Sequence, residues 1–267
     1  MEIAFDEGIR FFDTAPSYGQ SQAEKSIGSL TPRIRNEIYV CSKVGYSYGR
    51  SACAINFIKP FLRPAVSMSS FLKKVAGNSR GKINRHISIS VDIQPIAIRV
   101  SLIATLRRLR RDTLDVLLLH DASLHSLSEA NSAELESLVK EGLIRRWGVS
   151  TNDAAVAHRA LDVRGLTILQ VPVYDPWVEQ AGDLFAKCME RGVDVIANRV
   201  LTALHEEAKP VSSSMESVRS VDRCFQFAIR QPAVRIVLVG TRDATHLRAN
   251  VQAMRNLVSR HLKESNG

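Results

Sequence analysis

The chain of 267 residues is 45% hydrophobic, enough for one large α/β domain or two smaller ones with a real core. Its 36 Lys and Arg outnumber its 27 Asp and Glu by nine, a balance that favours anionic partners without the overall character of a typical nucleic-acid binder, because few aromatics stand among its basic residues. Cysteines at 41, 53, 188 and 224 show neither CxxC nor CxxH spacing, so neither a metal site nor a disulfide framework is indicated.

The chain opens on MEIAFDEG, acidic and amphipathic, which reads as a helix rather than a leader. No later run reaches the ~18 apolar residues a membrane span needs, so a cytoplasmic protein without a membrane partner is expected. The first strand, IRFFDTA, breaks into Asp13, Thr14, Pro16, Ser17, Tyr18 and Gly19, and a helix over about 21–30 follows. EIYVCSKV is the second strand. The stretch from Tyr46 to Pro95 then has no clear periodicity, and its latter half, SRGKINRHISIS, reads as mobile. Residues 46–94 hold eight Lys and Arg against one acid, Asp92, so seven of the nine net charges fall there. Beyond it, helices over about 95–111, 128–141, 153–161, 180–191, 216–230 and 243–258 alternate with the strands LDVLLLH, IRRWGVS, LTILQV, GVDVIAN and VRIVLVG. Gly142 and Gly192 stand where helix C-caps are expected.

Strands rich in Val, Ile and Leu without polar alternation are buried on both faces, and their alternation with helices predicts a parallel sheet. A TIM (β/α)8-type barrel has eight strands. Seven are predicted here, because the chain begins at what reads as the first helix and the amino-terminal strand is absent. The expected organisation is one barrel domain over 1–267, with 46–94 as a basic insertion loop. The expected gap leaves the backbone groups of two edge strands unpaired, each costing roughly 1–3 kcal/mol where buried.

Asp13, Tyr18, Lys43 and His120 each fall at or just beyond the carboxyl end of a predicted strand, and in a barrel those ends share one face. Asp and Thr after a strand also serve to cap a following helix, and a Tyr beside Pro and Gly also serves as packing. The set is nonetheless chemically coherent. A tyrosine hydroxyl, with an ordinary pKa near ~10, becomes a usable proton donor or acceptor when a lysine ammonium favours its phenolate. Asp13 can hold Lys43 charged and oriented, and His120 can donate a hydrogen bond to a carbonyl oxygen.

With these positions in place, the sequence resembles the aldo-keto reductases along nearly its whole length. GIRFFDTAPSYGQSQAEKSIGSL, VCSKVG, SLIATLRRLRRDTLDVLLLHDAS, GLIRRWGVST, LQVPVYDP and VLVGTRDATHLRAN fall in family order. The resemblance implies a catalytic tetrad of Asp13, Tyr18, Lys43 and His120, with Tyr18 as proton donor and acceptor. It implies an NADP(H) or NAD(H) cofactor whose carboxamide meets Ser150 and Gln170. The family's Asn after that Ser is Thr151 here, and Asn152 stands next as either its replacement or the cap of the following helix. After the seventh family strand the sequence reads IANRVL. Asn198 takes the place of an aromatic, which leaves Arg199 as the candidate near the nicotinamide. The phosphate end maps onto Gly240, Thr241 and Arg242 and on through Asn250, a place where barrels use loop amides and a helix amino terminus. The family arginine that favours a 2′-phosphate aligns with His246, a poor substitute for a bidentate guanidinium, with Arg242 and Arg248 nearby.

The implied function is an NAD(P)(H)-dependent oxidoreductase that interconverts a carbonyl compound (aldehyde, ketone or sugar) and its alcohol. VLLLHDAS and DTAPSYG resemble the sugar-oxidising and bacterial branches. The alternative is a cofactor-binding or regulatory relative with little turnover. The partner is a small carbonyl or sugar substrate, and the basic 46–94 insertion, leaving the sheet on the Tyr18 face, is expected to favour anionic ones.

Overall fold

The structure is a computed structural model that describes residues 1–48, 88–90, 93–202 and 214–265. Seven parallel strands form its main sheet: β1 (Phe11–Asp13), β2 (Tyr39–Val44), β5 (Leu114–His120), β6 (Ile144–Ser150), β7 (Ile168–Pro172), β8 (Asp194–Asn198) and β9 (Val234–Val237). They follow one another in the sheet in chain order, with β1 and β9 at its edges. Consecutive parallel neighbours joined through helices are the pattern of an α/β barrel wall. The sheet curls into a half-barrel. Its curl brings Phe11 of the β1 edge, together with Ile236 and Leu238 from the β9 side, against one inner cluster of Cys41, Val116, Leu118, Ile168 and Ile196.

Every second residue of a strand faces that inner cluster, and the residues between them face the helices. Val40, Leu117, Leu119, Val149, Leu169 and Val195 belong to the larger outer core, together with Ile98, Leu102, Leu135 and Leu138 of the surrounding helices. This is the physical reason the strands read as continuous apolar runs: both faces leave water. Gly148 of β6 is required by close approach, since a Cβ there would overlap the Ile168 carbonyl of the neighbouring strand.

The helices lie on the outside: α1 (Glu2–Asp6), α2 (Gln22–Gly28), α3 (Pro32–Glu37), α4 (Pro95–Leu109), α5 (Glu129–Lys140), α6 (Ala154–Ala160), α7 (Asp175–Ala181), α8 (Leu184–Glu190), α9 (Ser214–Arg230) and α10 (Ala244–Ser265). The helix expected over 180–191 begins only at Leu184, because Gly182, with φ 56° and ψ −120°, parts it from α7, which the sequence did not mark. The six residues of α3 were not legible as a helix, although Thr31 and Pro32 mark its start. Gly142 and Gly192 stand one residue past the C-caps of α5 and α8, Glu141 and Arg191, with positive φ, as helix stops should.

A short two-stranded ladder, β3 (Tyr46–Tyr48) against β4 (Ser88–Ser90), pairs antiparallel with Tyr46 opposite Ser90. The 46–94 insertion therefore leaves and re-enters the fold at one place, just beyond the carboxyl end of β2. All eight of its Lys and Arg, and the segment read as mobile up to residue 87, lie outside the described residues. Among the described residues no helix is long and apolar enough to cross a membrane.

Candidate active site

Because the seven strands are parallel, their carboxyl ends meet at one mouth. Asp13 ends β1, Lys43 is the penultimate residue of β2, His120 ends β5, Ser150 ends β6, and Gln170 lies in β7. Hydrogen bonds, ion pairs or ring contacts join all of these, with Tyr18, into one cluster. Arg199, just beyond β8, and the stretch Gly240–Asn250, beyond β9, lie at the same end of the sheet without a hydrogen bond to that cluster among the described residues.

Lys43 is 1% exposed and donates to both carboxylate oxygens of Asp13, at 2.7 and 2.6 Å, and to the Thr14 carbonyl at 3.1 Å. A buried ammonium needs its charge paired and its protons bonded, and here all three are. Burial pulls the Lys43 ammonium down, but Asp13, with Cys41 and Tyr18, outweighs it and holds the group above the ordinary lysine range. Gly45, at φ 126°, ends β2 directly beside the His120 backbone, where a Cβ would meet Ile93 Cδ1 at 2.8 Å. The turn between β2 and the insertion is thus fitted to the end of β5.

Tyr18 is presented by a turn in which Gly19, Gln20 and Ser21 all adopt left-handed φ, at 58°, 59° and 67°. Two of the three are not glycine, so the turn stores backbone strain, a feature that clusters at functional sites. Lys43 Nζ lies 4.9 Å from the Tyr18 ring centroid, and the Tyr18 and His120 rings meet edge-on at 6.0 Å. Burial raises the Tyr18 hydroxyl above its ordinary value of 10.0, the Lys43 charge pulls it down, and the Asp13 charge raises it again. Tyr18 is 40% exposed, so solvent moderates these influences, and it is the direction that matters: the hydroxyl keeps its proton at neutral pH.

Burial and, next, the Lys43 charge push His120 down to about 4, so its imidazole is neutral at pH 7. Unfolding restores the ordinary value of 6.5, so between about 6.5 and 4 the unfolded chain binds a proton that the folded chain does not. Stability from this group is complete above 6.5 and is lost as pH falls toward 4. The expected result is a urea midpoint that drops over this range more steeply in the parent than in His120→Gln, measured by tryptophan fluorescence. Parallel curves would show that His120 is not buried in its neutral form.

The residues expected at the nicotinamide are organised among themselves. Ser150 Oγ donates to Gln170 Oε1 at 2.8 Å, and Gln170 Nε2 donates to Asp13 Oδ1 at 2.9 Å. The Thr151 hydroxyl accepts from the Asp153 amide at 3.2 Å, so it is engaged in the turn that starts α6. Asn152 does not cap that helix. Asp153 does, taking the amides of Ala155 and Val156, while Asn152 Nδ2 reaches Asp121 Oδ1 at 3.4 Å. Asn198 Oδ1 is buried with no hydrogen-bond partner among the described residues, and Arg199 follows it exposed at φ 53°.

At the far end, Asp243 Oδ1 accepts the amides of Thr245 at 2.7 Å and His246 at 3.1 Å, and those backbone bonds hold its carboxyl below the usual range. The first turn of α10 is therefore capped by the chain's own carboxylate, and the Thr245 and His246 amides are not open for a phosphate. Arg248 Nε is paired with Glu7 at 3.0 Å. Among the cations expected there, Arg242 is exposed and has no ion pair among the described residues.

Supporting residues were not legible in sequence. Ser42, the outward neighbour of Lys43, donates at 2.7 Å to the wholly buried Glu24 of α2, which also takes Arg108 Nε at 2.5 Å. That triad ties the helix following the Tyr18 turn to β2. The signal for it, one polar residue in an apolar strand and one acid on a helix, is too common to read.

Residues 1–209 match the family model described as the aldo/keto reductase family. A D-threo-aldose 1-dehydrogenase of a Pseudomonas species is 27% identical over 209 residues, covering 76% of this chain, and the chain spans 59% of that protein's length. In fold the chain is similar to the holo form of an aldo-keto reductase of Bacillus halodurans, with TM-score 0.67, 19% identity and coverage of 95% of this chain and 79% of that one. It is also similar to an aldo-keto reductase of Klebsiella pneumoniae in complex with NADPH, with TM-score 0.65, 22% identity and coverage of 95% and 77%. The half-barrel and the cluster at its mouth thus accompany a family match over most of the sequence, and the chain belongs to the aldo/keto reductase family.

Proposed function

We propose that the protein is an NAD(P)(H)-dependent oxidoreductase that interconverts a small aldehyde, ketone or sugar and its alcohol, with Tyr18 moving the proton. The observation that carries this reading is the buried Asp13–Lys43 ion pair placed beside a protonated tyrosine and a neutral histidine at the barrel mouth. In reduction, Tyr18 gives its proton to the carbonyl oxygen, and the Lys43 ammonium stabilises the phenolate left behind. Neutral His120 donates an N–H bond to the same oxygen and so orients the carbonyl. In oxidation the proton returns along the same route.

A bound nicotinamide supplies the hydride. Ser150 and Gln170 suit its carboxamide: the bonds within the cluster use one N–H and one lone pair of the Gln170 amide, leaving one of each. Arg199 and the Gly240–Asn250 stretch would hold the remainder, with Arg242 rather than the capped helix end meeting phosphate. Replacing Arg242 with Ala is therefore expected to weaken NADPH binding about tenfold, the scale of one charged hydrogen bond, and NADH binding less. Titration by nucleotide fluorescence at fixed ionic strength checks this, and an equal loss for both nucleotides would remove Arg242 from the 2′-phosphate.

The test of the function itself is nucleotide binding and turnover measured together with aldehydes, ketones and aldoses, anionic ones included. Reduction or oxidation of any of them, lost in Tyr18→Phe, supports the reading. Nucleotide binding without turnover of any of them would leave a cofactor-binding protein, and no binding of either nucleotide would overturn the reading.

A further inference from the structure

Asp13 ends β1, an edge strand of three residues whose ladder partner is β2 alone. Lys43 sits on that same partner, so ladder and ion pair both hold the carboxylate from one side. Gln170 holds it from the other. It belongs to β7, fifth in the sheet order, and its Nε2 reaches across the curl to Asp13 Oδ1 at 2.9 Å. A carboxylate only accepts, so Gln170 must turn its NH2 to Asp13 and its Oε1 to Ser150, whose hydroxyl donates at 2.8 Å. Chemistry at both ends thus sets the orientation of the amide.

We propose that Gln170 is a positioning residue for proton transfer: by anchoring Asp13 across the barrel, it keeps Lys43 beside Tyr18 and tempers the carboxylate charge felt there. This rests on the proposed role of Tyr18 for its meaning, but not for its measurement. The titratable groups facing Tyr18 are Lys43 and Cys41 from β2, Asp13 from β1 and His120 from β5. Burial and the Asp13 charge keep the Cys41 thiol neutral, and burial keeps His120 neutral. The balance at the hydroxyl is therefore struck between Lys43, which lowers it, and Asp13, which raises it. Removing the Gln170 amide has two effects of the same sign. The carboxylate loses a donor and presents more of its charge to Tyr18, and it is freed to swing, drawing Lys43 with it.

The experiment is an alkaline titration of tyrosinate absorbance in the ligand-free protein, each spectrum taken against the matching Tyr18→Phe version to isolate one of the five tyrosines. Gln170→Glu, which keeps size and brings a second carboxylate, and Gln170→Met, which removes the amide, are both expected to move the Tyr18 midpoint upward by about half a pH unit or more. Ser150→Ala, which leaves the Gln170–Asp13 bond in place, is expected to move it less. A midpoint unchanged in Gln170→Met overturns the proposal, and where Gln170→Met fails to fold by circular dichroism, Gln170→Asn, which draws the amide back by one methylene and adds no charge of its own, decides in its place. A raised midpoint in a protein that binds neither nucleotide would sustain the positioning role while sinking the oxidoreductase reading.

Discussion

Tyr18→Phe is expected to lower carbonyl reduction by about 10² or more while leaving nucleotide affinity within a few fold, since it removes one hydroxyl and keeps the ring. The size of the effect follows from what remains. His120 is neutral and has no proton to spare near pH 7, and Lys43 is committed to Asp13 and the Thr14 carbonyl. No other acid among the described residues of the cluster stands ready to replace the phenol. Turnover and nucleotide fluorescence should be measured on the same preparation. A variant that reduces carbonyl compounds at the parental rate would place the proton donor elsewhere.

Lys43→Met is expected to be the most damaging single change to stability at the mouth, by about 3–5 kcal/mol, the scale of breaking a buried ion pair by removing one partner. It leaves the Asp13 carboxylate, 15% exposed, with Gln170 as its remaining donor in the cluster. The double variant Asp13→Asn, Lys43→Met should recover much of that loss, because no unpaired charge remains. Neither variant should turn over, since Tyr18 has lost the ammonium that favours its phenolate. The sign with pH also follows. Lys43 is held above its ordinary 10.5, so the stability it contributes is complete below that value and is lost as pH rises through the raised one. Urea midpoints for parent and Lys43→Met should therefore converge only in strong alkali, and a gap that closes at neutral pH would contradict the pairing.

Much of the architecture was written in the strands themselves. LDVLLLH and IRRWGVS coincide with β5 and β6 residue for residue, because an apolar run ended by a polar residue is what a strand buried on both faces and opening onto a mouth must be. Asp13, Lys43 and His120 were legible as a group for the same reason: each is the polar residue at or next to the carboxyl end of such a run, and parallel strands bring those ends together, whereas Ser150 and Gln170 were singled out only by the resemblance to the family. Tyr18 was legible from the Pro and Gly around it, which mark a turn.

What the sequence could not give is whatever depends on distances between elements far apart in the chain. Gly182 delays the start of a predicted helix and ends the one before it because its backbone adopts a conformation closed to other residues, a choice that periodicity does not record. The insertion's ends, Tyr46–Tyr48 and Ser88–Ser90, pair across about forty residues of intervening chain. At the phosphate end, the sequence offers an aspartate just before a helix start and an arginine in the second turn of that helix. Only the fold shows that Asp243 occupies the helix amides itself and that Arg248 is spent on Glu7. The same holds at the centre of the site. Pattern predicted that a carboxylate, a lysine, a tyrosine and a histidine would share one face, whereas the curl of the sheet alone decided that Gln170, 157 residues away in the chain, would reach Asp13. Local sequence sets which way a side chain points, but a hydrogen bond across a barrel is fixed by how far the whole sheet has turned.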